Sequence, residues 1–240
     1  MDNLMAARVE IPTLKTLLIF EGRDDKNNCQ VVITGANLRT FDYGGDLKNE
    51  YHLYDLSSLV DSSIVVGKIS DIVEDDRLRE VADHTNKLLG GLSNVRDLYL
   101  SHETVKVLNS TAEPFTHSNL TYLRVNLGSV NFNCGALQSI LQKTPFLSNL
   151  EFMRGISLDT PDDEDEWKLD PVLLCFSKQL KTIYIGDFCG TEQEFHVAKN
   201  LLQNASVLER LCIQLASCKD VFDSSESIAI GSRCEICFHA

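Results

Sequence analysis

One candidate for metal chemistry lies near the C-terminus, where Cys234 and Cys237 are separated by two residues and His239 follows. Thiolates and an imidazole at this spacing are ligands that Zn²⁺ takes in proteins, but a four-coordinate site needs further ligands. The sequence has no second Cys-x-x-Cys hook, and the segment also fits a terminal β-strand. We therefore predict a strand here, with no metal and no other cofactor.

Residue patterns for catalysis are missing from the sequence. It contains no Gly-x-Ser-x-Gly nucleophile elbow, and no motif pairs its six histidines with a cysteine or serine. The glycine pairs at 44–45 and 90–91 fit turns and helix caps better than loops that bind phosphate. We therefore predict that the protein is not an enzyme.

The remaining chemistry is recognition of another protein. Tyr and Arg side chains concentrate binding energy at interfaces, because they bury a large area and keep a polar group. Six residues are our candidates for contact with a partner: Tyr99, Tyr122, Arg124, Glu151, Tyr184 and Arg210. The alternative is that Arg124 and Glu151 only pair with each other, at the ~0–1 kcal/mol of an exposed ion pair.

These candidates lie in or beside a six-residue pattern, Leu-x-x-Leu-x-(Ile/Val/Phe), that recurs along the chain. Copies begin at positions 14, 38, 95, 120, 147, 180 and 208, and a weaker one at Leu59 has Ser62 in its second apolar position. Copies that follow one another directly are 24 (14 to 38), 25 (95 to 120), 27 (120 to 147), 33 (147 to 180) and 28 (180 to 208) residues apart. All but the 33-residue step lie within the ~20–29 residues of a leucine-rich repeat, and the weaker copy lies in the longer interval from 38 to 95. Apolar and polar residues alternate around the fourth position, which predicts a strand with one buried face.

Helices are predicted between several of these strands. Residues 191–194 form a capping box, and apolar residues at helical spacing continue to Ala205. A shorter helix is predicted from Gly135 to Lys143, and a longer one begins after Ser70 or Asp71 and ends at Gly90. The predicted fold is α/β: a leucine-rich-repeat solenoid with short parallel strands on one face and helices and loops on the other.

Charge and composition narrow the possible partners. The 240-residue chain has a net charge of -13, which argues against nucleic acid and anionic membranes as partners. It shows no secretory signal and no apolar run of ~20 residues, so we expect a cytoplasmic or nuclear protein whose eight cysteines are free thiols. Seven carboxylates between Asp159 and Asp170 predict a solvated loop or, alternatively, a docking site for a basic partner.

The C-terminal third resembles a known family. From Trp167 onward the sequence contains Pro171, Cys175, Leu180-Lys181-Thr182-Ile183, Phe188 and the box at 190–194, followed by residues 199–205 and Leu208-Glu209. This pattern is similar to the FBD domain of plant F-box/leucine-rich-repeat proteins. Residues 36–41 and 56–62 resemble the repeat region of the same family, and residues 232–236 resemble its closing strand.

The resemblance implies a domain organisation. We predict a leucine-rich-repeat region at 1–157, an acidic insertion loop at 158–170 and an FBD-like domain at 167–240 that continues the solenoid. Members of this family begin with an F-box, a helical segment that docks on the adaptor of a cullin–RING ubiquitin ligase. Because the first repeat begins at Leu14, we expect no F-box in this chain.

The resemblance also implies a function. We expect a protein-interaction module that resembles the substrate-recognition part of an F-box ubiquitin-ligase subunit and binds an unidentified protein through its strand-lined face. Ligase components would then be only indirect partners. The alternative is a truncated paralog that acts as a competitor or is vestigial, with the strand near Leu17–Phe20 left as an uncovered edge.

Overall fold

A computed structural model describes residues 6–10, 12–22, 29–68, 75–109, 118–126, 128–132, 134–157, 173–216 and 235–239. The chain divides into two units, Met1–Leu120 and Thr121–Ala240. The predicted acidic loop at 158–170, Trp167 and the predicted helix cap at Ser70 or Asp71 lie outside the described residues. No helix among the described residues has the length and apolar character to cross a membrane.

The first unit contains parallel strands in two sheets, with two helices. Its elements are β1 (Ala6–Glu10), β2 (Thr16–Phe20), β3 (Gln30–Thr34), β4 (Thr40–Gly45), β5 (Glu50–Tyr54), β6 (Asp61–Val66), α1 (Asp75–Gly90), β7 (Asp97–Ser101) and α2 (His102–Leu108). One sheet has the order β1-β3-β5. In the other, β2, β4, β6 and β7 pair in that order.

Apolar side chains in register hold the second of these sheets together. Tyr43 lies opposite Ile64, which lies opposite Leu100, and all three are at most 1% exposed. Ser62 occupies an apolar position of the repeat and is also buried. It is accommodated there because its hydroxyl donates a 2.6 Å hydrogen bond to the carbonyl of Phe41.

The second unit repeats the arrangement more regularly. Its elements are β8 (Tyr122–Asn126), β9 (Val130–Asn131), α3 (Gly135–Gln142), β10 (Asn149–Phe152), β11 (Ile156–Ser157), α4 (Leu174–Lys178), β12 (Thr182–Phe188), α5 (Glu192–Asn204), β13 (Arg210–Leu215) and β14 (Glu235–His239). The strands β8-β10-β12-β13-β14 form one parallel sheet in that order. A short parallel pair is formed by β9 and β11.

The core of this unit is built from the fourth and sixth residues of each repeat. The fourth residues stand directly opposite one another: Leu123, Leu150, Ile183 and Leu211. The sixth residues form a parallel row: Val125, Phe152, Ile185 and Ile213. All eight are fully buried, so a shift by one residue in any strand would expose its apolar side chains.

The main sequence predictions of local structure are confirmed. Each copy of the repeat contains a strand, and the helices predicted at 135–143, after Thr191 and before Gly90 are present. The capping box is formed in both directions: Thr191 accepts from the amide of Glu194, and the Glu194 carboxylate accepts from the amide of Thr191 at 2.9 Å. An α/β fold with parallel sheets is thereby confirmed, whereas β1, β5, β9, β11 and the short helices α2 and α4 were not predicted.

A single carboxylate joins the two sheets of the first unit. Glu21 follows β2, and its carboxylate accepts hydrogen bonds from Tyr43 of β4 at 2.7 Å and Tyr51 of β5 at 2.8 Å. It also accepts from the backbone amide of Lys48 at 2.9 Å and the side-chain amide of Asn49 at 2.8 Å. Burial raises the pKa of Glu21, but these hydrogen bonds outweigh burial and leave the pKa below its usual value.

We predict that Glu21→Gln destabilises the first unit by about 1–2 kcal/mol at neutral pH, because a neutral amide cannot accept all of these hydrogen bonds. Because the pKa of Glu21 is lowered in the folded protein, its charged carboxylate stabilises the fold more than the protonated form does. The advantage of the wild type is therefore complete above the ordinary pKa of 4.5 and is lost as the pH falls through the lower pKa of the folded protein.

Hydrogen exchange at the amides of Lys48 and Asn49 measures this effect locally, and urea unfolding measures it globally. Glu10→Gln is the matched control, because Glu10 is exposed and its ion pair among the described residues is with the exposed Arg8. Equal exchange rates in the two variants would contradict the role of Glu21.

Candidate partner-binding face

The half-exposed side of the second unit carries two rows of side chains. The central row contains the residue between the fourth and sixth positions of each repeat: Arg124, Glu151, Tyr184, Cys212 and Cys237. The flanking row lies two residues earlier on each strand: Tyr122, Asn149, Thr182, Arg210 and Glu235. Five of the six predicted contact residues therefore lie on one face, because each strand alternates between core and solvent.

Arg124 is the best-anchored side chain of this face. Its Nε lies 2.7 Å from a carboxylate oxygen of Glu151, which is the next residue of the central row. Its Nη2 donates a 2.6 Å hydrogen bond to the hydroxyl of Tyr122, and its guanidinium carbon lies 5.3 Å from the centre of the Tyr122 ring. Three candidate residues on two strands are thus held in one network.

The contacts of this network shift the pKa values of Tyr122 and Arg124. Burial raises the pKa of the Tyr122 hydroxyl, and a hydrogen bond to the Glu151 carboxylate raises it further. Burial lowers the pKa of Arg124, but its bonds to Tyr122 and Glu151 outweigh that and raise it overall. The pairing of Arg124 with Glu151 that the sequence left as an alternative is therefore present. It leaves 40% of the Arg124 side chain accessible.

The other two candidates on this face are paired along the sheet. The Tyr184 hydroxyl donates a hydrogen bond to the Gln214 side chain of the neighbouring strand. Burial and the charges of Glu151 and Asp187 raise the pKa of Tyr184. Arg210 lies 3.3 Å from the Glu235 carboxylate, with both side chains more than half exposed.

The sixth candidate, Tyr99, lies in the first unit and is half-buried. There the register forms the row Leu18, Asp42, Ser63 and Tyr99, as the repeat predicts. Beside it lies a second row that ends in two carboxylates: Thr16, Thr40, Asp61 and Asp97. This face is therefore more acidic than the corresponding face of the second unit.

Asp61 and Asp97 stand directly opposite each other on β6 and β7, and both are exposed. Burial, a hydrogen bond to Asp61 and the charge of Asp61 raise the pKa of Asp97, whereas Arg96 lowers it. Burial raises the pKa of Asp42, and the Asp61 charge adds to this. The carboxylate pair was not predicted from the sequence, because Asp61 is the third residue of the weak repeat at Leu59.

The metal hypothesis gains no support from the geometry. Cys237 lies on β14, whereas Cys234 is outside the described residues. Over the ranges that the structure describes, no three His, Cys, Asp or Glu side chains converge as metal ligands would. The two faces present aromatic, cationic and acidic side chains, aligned in rows by the register of the strands.

Part of the second unit matches a known family model. Residues 170–213, which run from before α4 to within β13, match the FBD family model. This span includes α5, its capping box and the strands on either side of that helix. It falls within the segment 167–240 that resembles an FBD domain, while the boundaries proposed from the sequence stay predictions.

Several proteins of Arabidopsis thaliana are similar to most of this chain. An F-box/LRR-repeat protein is 27% identical over 91% of this chain and 49% of its own length. A putative F-box/LRR-repeat protein is 28% identical over 78% of the chain and 39% of its own length. A putative FBD-associated F-box protein is 23% identical over 86% of the chain and 47% of its own length.

The chain is thus a relative of the plant F-box/leucine-rich-repeat and FBD-associated F-box proteins. It spans about half the length, or less, of these relatives. No solved structure matches it significantly.

We predict that Asp97→Asn stabilises the first unit by about 0.5 kcal/mol at neutral pH, because like charges directly opposite on paired strands are unfavourable. The pKa of Asp97 is raised in the folded protein. The wild type therefore loses stability as the pH rises from the ordinary pKa of Asp through the raised pKa of the folded protein. The gain from Asp97→Asn is therefore present at neutral pH and disappears towards pH 3.8, the ordinary pKa of Asp.

Urea unfolding at several pH values measures this gain. Asp61→Asn should stabilise similarly, and the double variant should gain less than the two single variants together, because both relieve the same repulsion. Additive gains that do not depend on pH would show that the two carboxylates do not interact.

Proposed function

We propose that this chain is a protein-interaction module of leucine-rich-repeat solenoid type that recognises a protein partner through its strand-lined faces. The observation that carries the proposal is the network of Tyr122, Arg124 and Glu151, with Tyr184 beside it in the central row. Extended faces built from equivalent positions of successive repeats are the surfaces with which solenoid proteins bind.

The network favours binding because its side chains are already ordered. Arg124 is held by two neighbours, so less conformational entropy is lost when a partner covers it. Its guanidinium and the Tyr122 ring remain partly accessible and offer both apolar area and hydrogen-bond donors. Half-buried Tyr and Arg side chains of this kind are the usual centres of binding energy at protein interfaces.

The relatives suggest a cellular context for this binding. Their names place F-box and leucine-rich-repeat segments in one protein, and the matched FBD region lies in the second unit. We propose that this chain corresponds to the substrate-recognition part of a ubiquitin-ligase subunit and acts by binding, without catalysis, in the cytoplasm or nucleus. The bound protein would be the substrate, and the element that docks on the ligase would lie outside this chain.

Charge favours protein over other macromolecules as the partner. A net charge of -13 disfavours nucleic acid and anionic membrane surfaces. Asp42, Asp61 and Asp97 further favour a partner segment with basic residues at the first unit. On the corresponding face of the second unit, Arg124 and Arg210 are balanced by Glu151 and Glu235, so this face is less acidic and offers mainly aromatic area and hydrogen-bond donors.

Affinity purification with quantitative mass spectrometry tests this proposal. We predict that Arg124→Ala and Tyr184→Ala each weaken capture of the same partner at least about fivefold, the effect of losing ~1 kcal/mol or more from an interface centre. Tyr99→Ala tests the face of the first unit in the same way.

Matched controls lie away from these faces. Lys199→Ala removes an exposed cation from α5, and Leu174→Ala removes a large exposed apolar side chain from α4. Both should capture the partner as well as the wild type does. Equal loss in the control and face variants, or no loss in any of them, would refute binding through these faces.

A further inference from the structure

The central row ends in two cysteines that lie on neighbouring strands. Cys212 of β13 and Cys237 of β14 are direct partners in the parallel register. Both are half-exposed free thiols, and the register places them on the same face of the sheet. On β13 the core is filled by Leu211 and Ile213, the residues on either side of Cys212.

The spacing of these cysteines suits a covalent bond between them. Directly opposed residues of neighbouring strands lie about 4.8 Å apart, the distance between the strands themselves. Disulfides bridge Cα atoms that are about 4.4–6.8 Å apart. We propose that Cys212 and Cys237 form a reversible dithiol–disulfide modification site, oxidised by small disulfides such as glutathione disulfide.

The pair stands apart from the other described cysteines. The Cys29 thiol lies 3.0 Å from the side-chain oxygen of Asn49, and the Cys189 thiol lies 3.7 Å from the carbonyl of Asp187. Cys175 is fully buried, and burial raises the pKa of its thiol to about 11. Among the strand pairings that the structure describes, only the one between β13 and β14 places two cysteines opposite each other.

The reaction is a two-step exchange in which each bond broken is matched by one formed. A thiolate of one cysteine attacks a sulfur of glutathione disulfide, forms a mixed disulfide and releases one glutathione thiolate. The thiolate of the second cysteine then attacks the first cysteine's sulfur, forms the protein disulfide and releases the second glutathione. Two protein thiols are oxidised, glutathione disulfide is reduced, and the two thiol protons pass to the released thiolates or to solvent.

The surroundings of the pair set its pH dependence. Burial raises the pKa of Cys212, and the charge of Cys237 raises it further, whereas the positive charge of Arg210 lowers it. Among the described residues, Glu235, which pairs with Arg210, and Tyr184, which lies opposite Cys212, are also polar neighbours of the pair. Because the thiolate is the attacking species, the exchange accelerates as the pH rises.

A disulfide between Cys212 and Cys237 would link β14 covalently to β13. In the reduced protein, β14 is attached to its sheet by pairing with β13. A disulfide closes the chain between residues 212 and 237 into a loop and reduces the freedom of the detached strand. Oxidation therefore suppresses opening of β14, which pairs with β13, the strand that carries Cys212 beside Tyr184 in the central row.

Peptide mapping of the whole chain tests the proposal. The folded protein is incubated with glutathione disulfide, its remaining thiols are alkylated, and it is digested without reduction. The expected result is a peptide pair linked through Cys212 and Cys237 that disappears on treatment with dithiothreitol, together with slower amide exchange in β14. Cys212→Ser and Cys237→Ser should abolish this link, whereas Cys29→Ser should preserve it.

A parallel incubation in urea keeps the test independent of how the variants fold. If the native register directs the reaction, the link between Cys212 and Cys237 dominates in folded protein and is one of many in unfolded protein. Glutathione adducts that persist on both cysteines would overturn the proposal. So would a dominant link between Cys237 and Cys234.

Discussion

The parallel register of the strands is the constraint from which the other features follow. In the second unit, the fourth and sixth residues of each repeat are fully buried and lie opposite their equivalents. A slip by one residue would move Leu150 and Phe152 into solvent and Glu151 into the core, so burial selects one register. The same register brings Arg124 to Glu151 and Cys212 to Cys237. The positions that hold the chain together therefore also decide which exposed residues meet.

Two carboxylates, the half-buried Glu21 and the buried Glu194, accept hydrogen bonds where strands end. Glu21 accepts from Tyr43, Tyr51 and backbone amides in the first unit, and so joins its two sheets. Glu194 accepts from the amides of Cys189 and Thr191 in the second unit, and so fixes the turn from β12 into α5. In both places a charged acceptor satisfies amides that neither a strand nor a helix can pair.

Much of this architecture could be predicted from the residue pattern. In Leu120–Val125 and Leu180–Ile185, apolar and polar residues alternate, so a strand can bury its apolar residues in one way only. The capping box at Thr191 depends only on residues that are neighbours in the sequence. The sheet of β1, β3 and β5 was harder to predict, because its strands depend on distant partners and on the Glu21 network. The pairing of Asp61 with Asp97 was missed for a similar reason. Ser62 weakens the repeat that positions Asp61, and its buried hydroxyl is satisfied only by the carbonyl of Phe41.

Nuclear Overhauser contacts across the second sheet test the central claim most directly. In solution, backbone protons of Glu151 should show contacts to Arg124 on one side and to Tyr184 on the other, with Cys212 next in the same row. Such contacts would establish the register that forms the proposed binding face and the cysteine pair. A register displaced by one residue, in which the Glu151 side chain contacts the side chain of Leu123 or Val125, would contradict it.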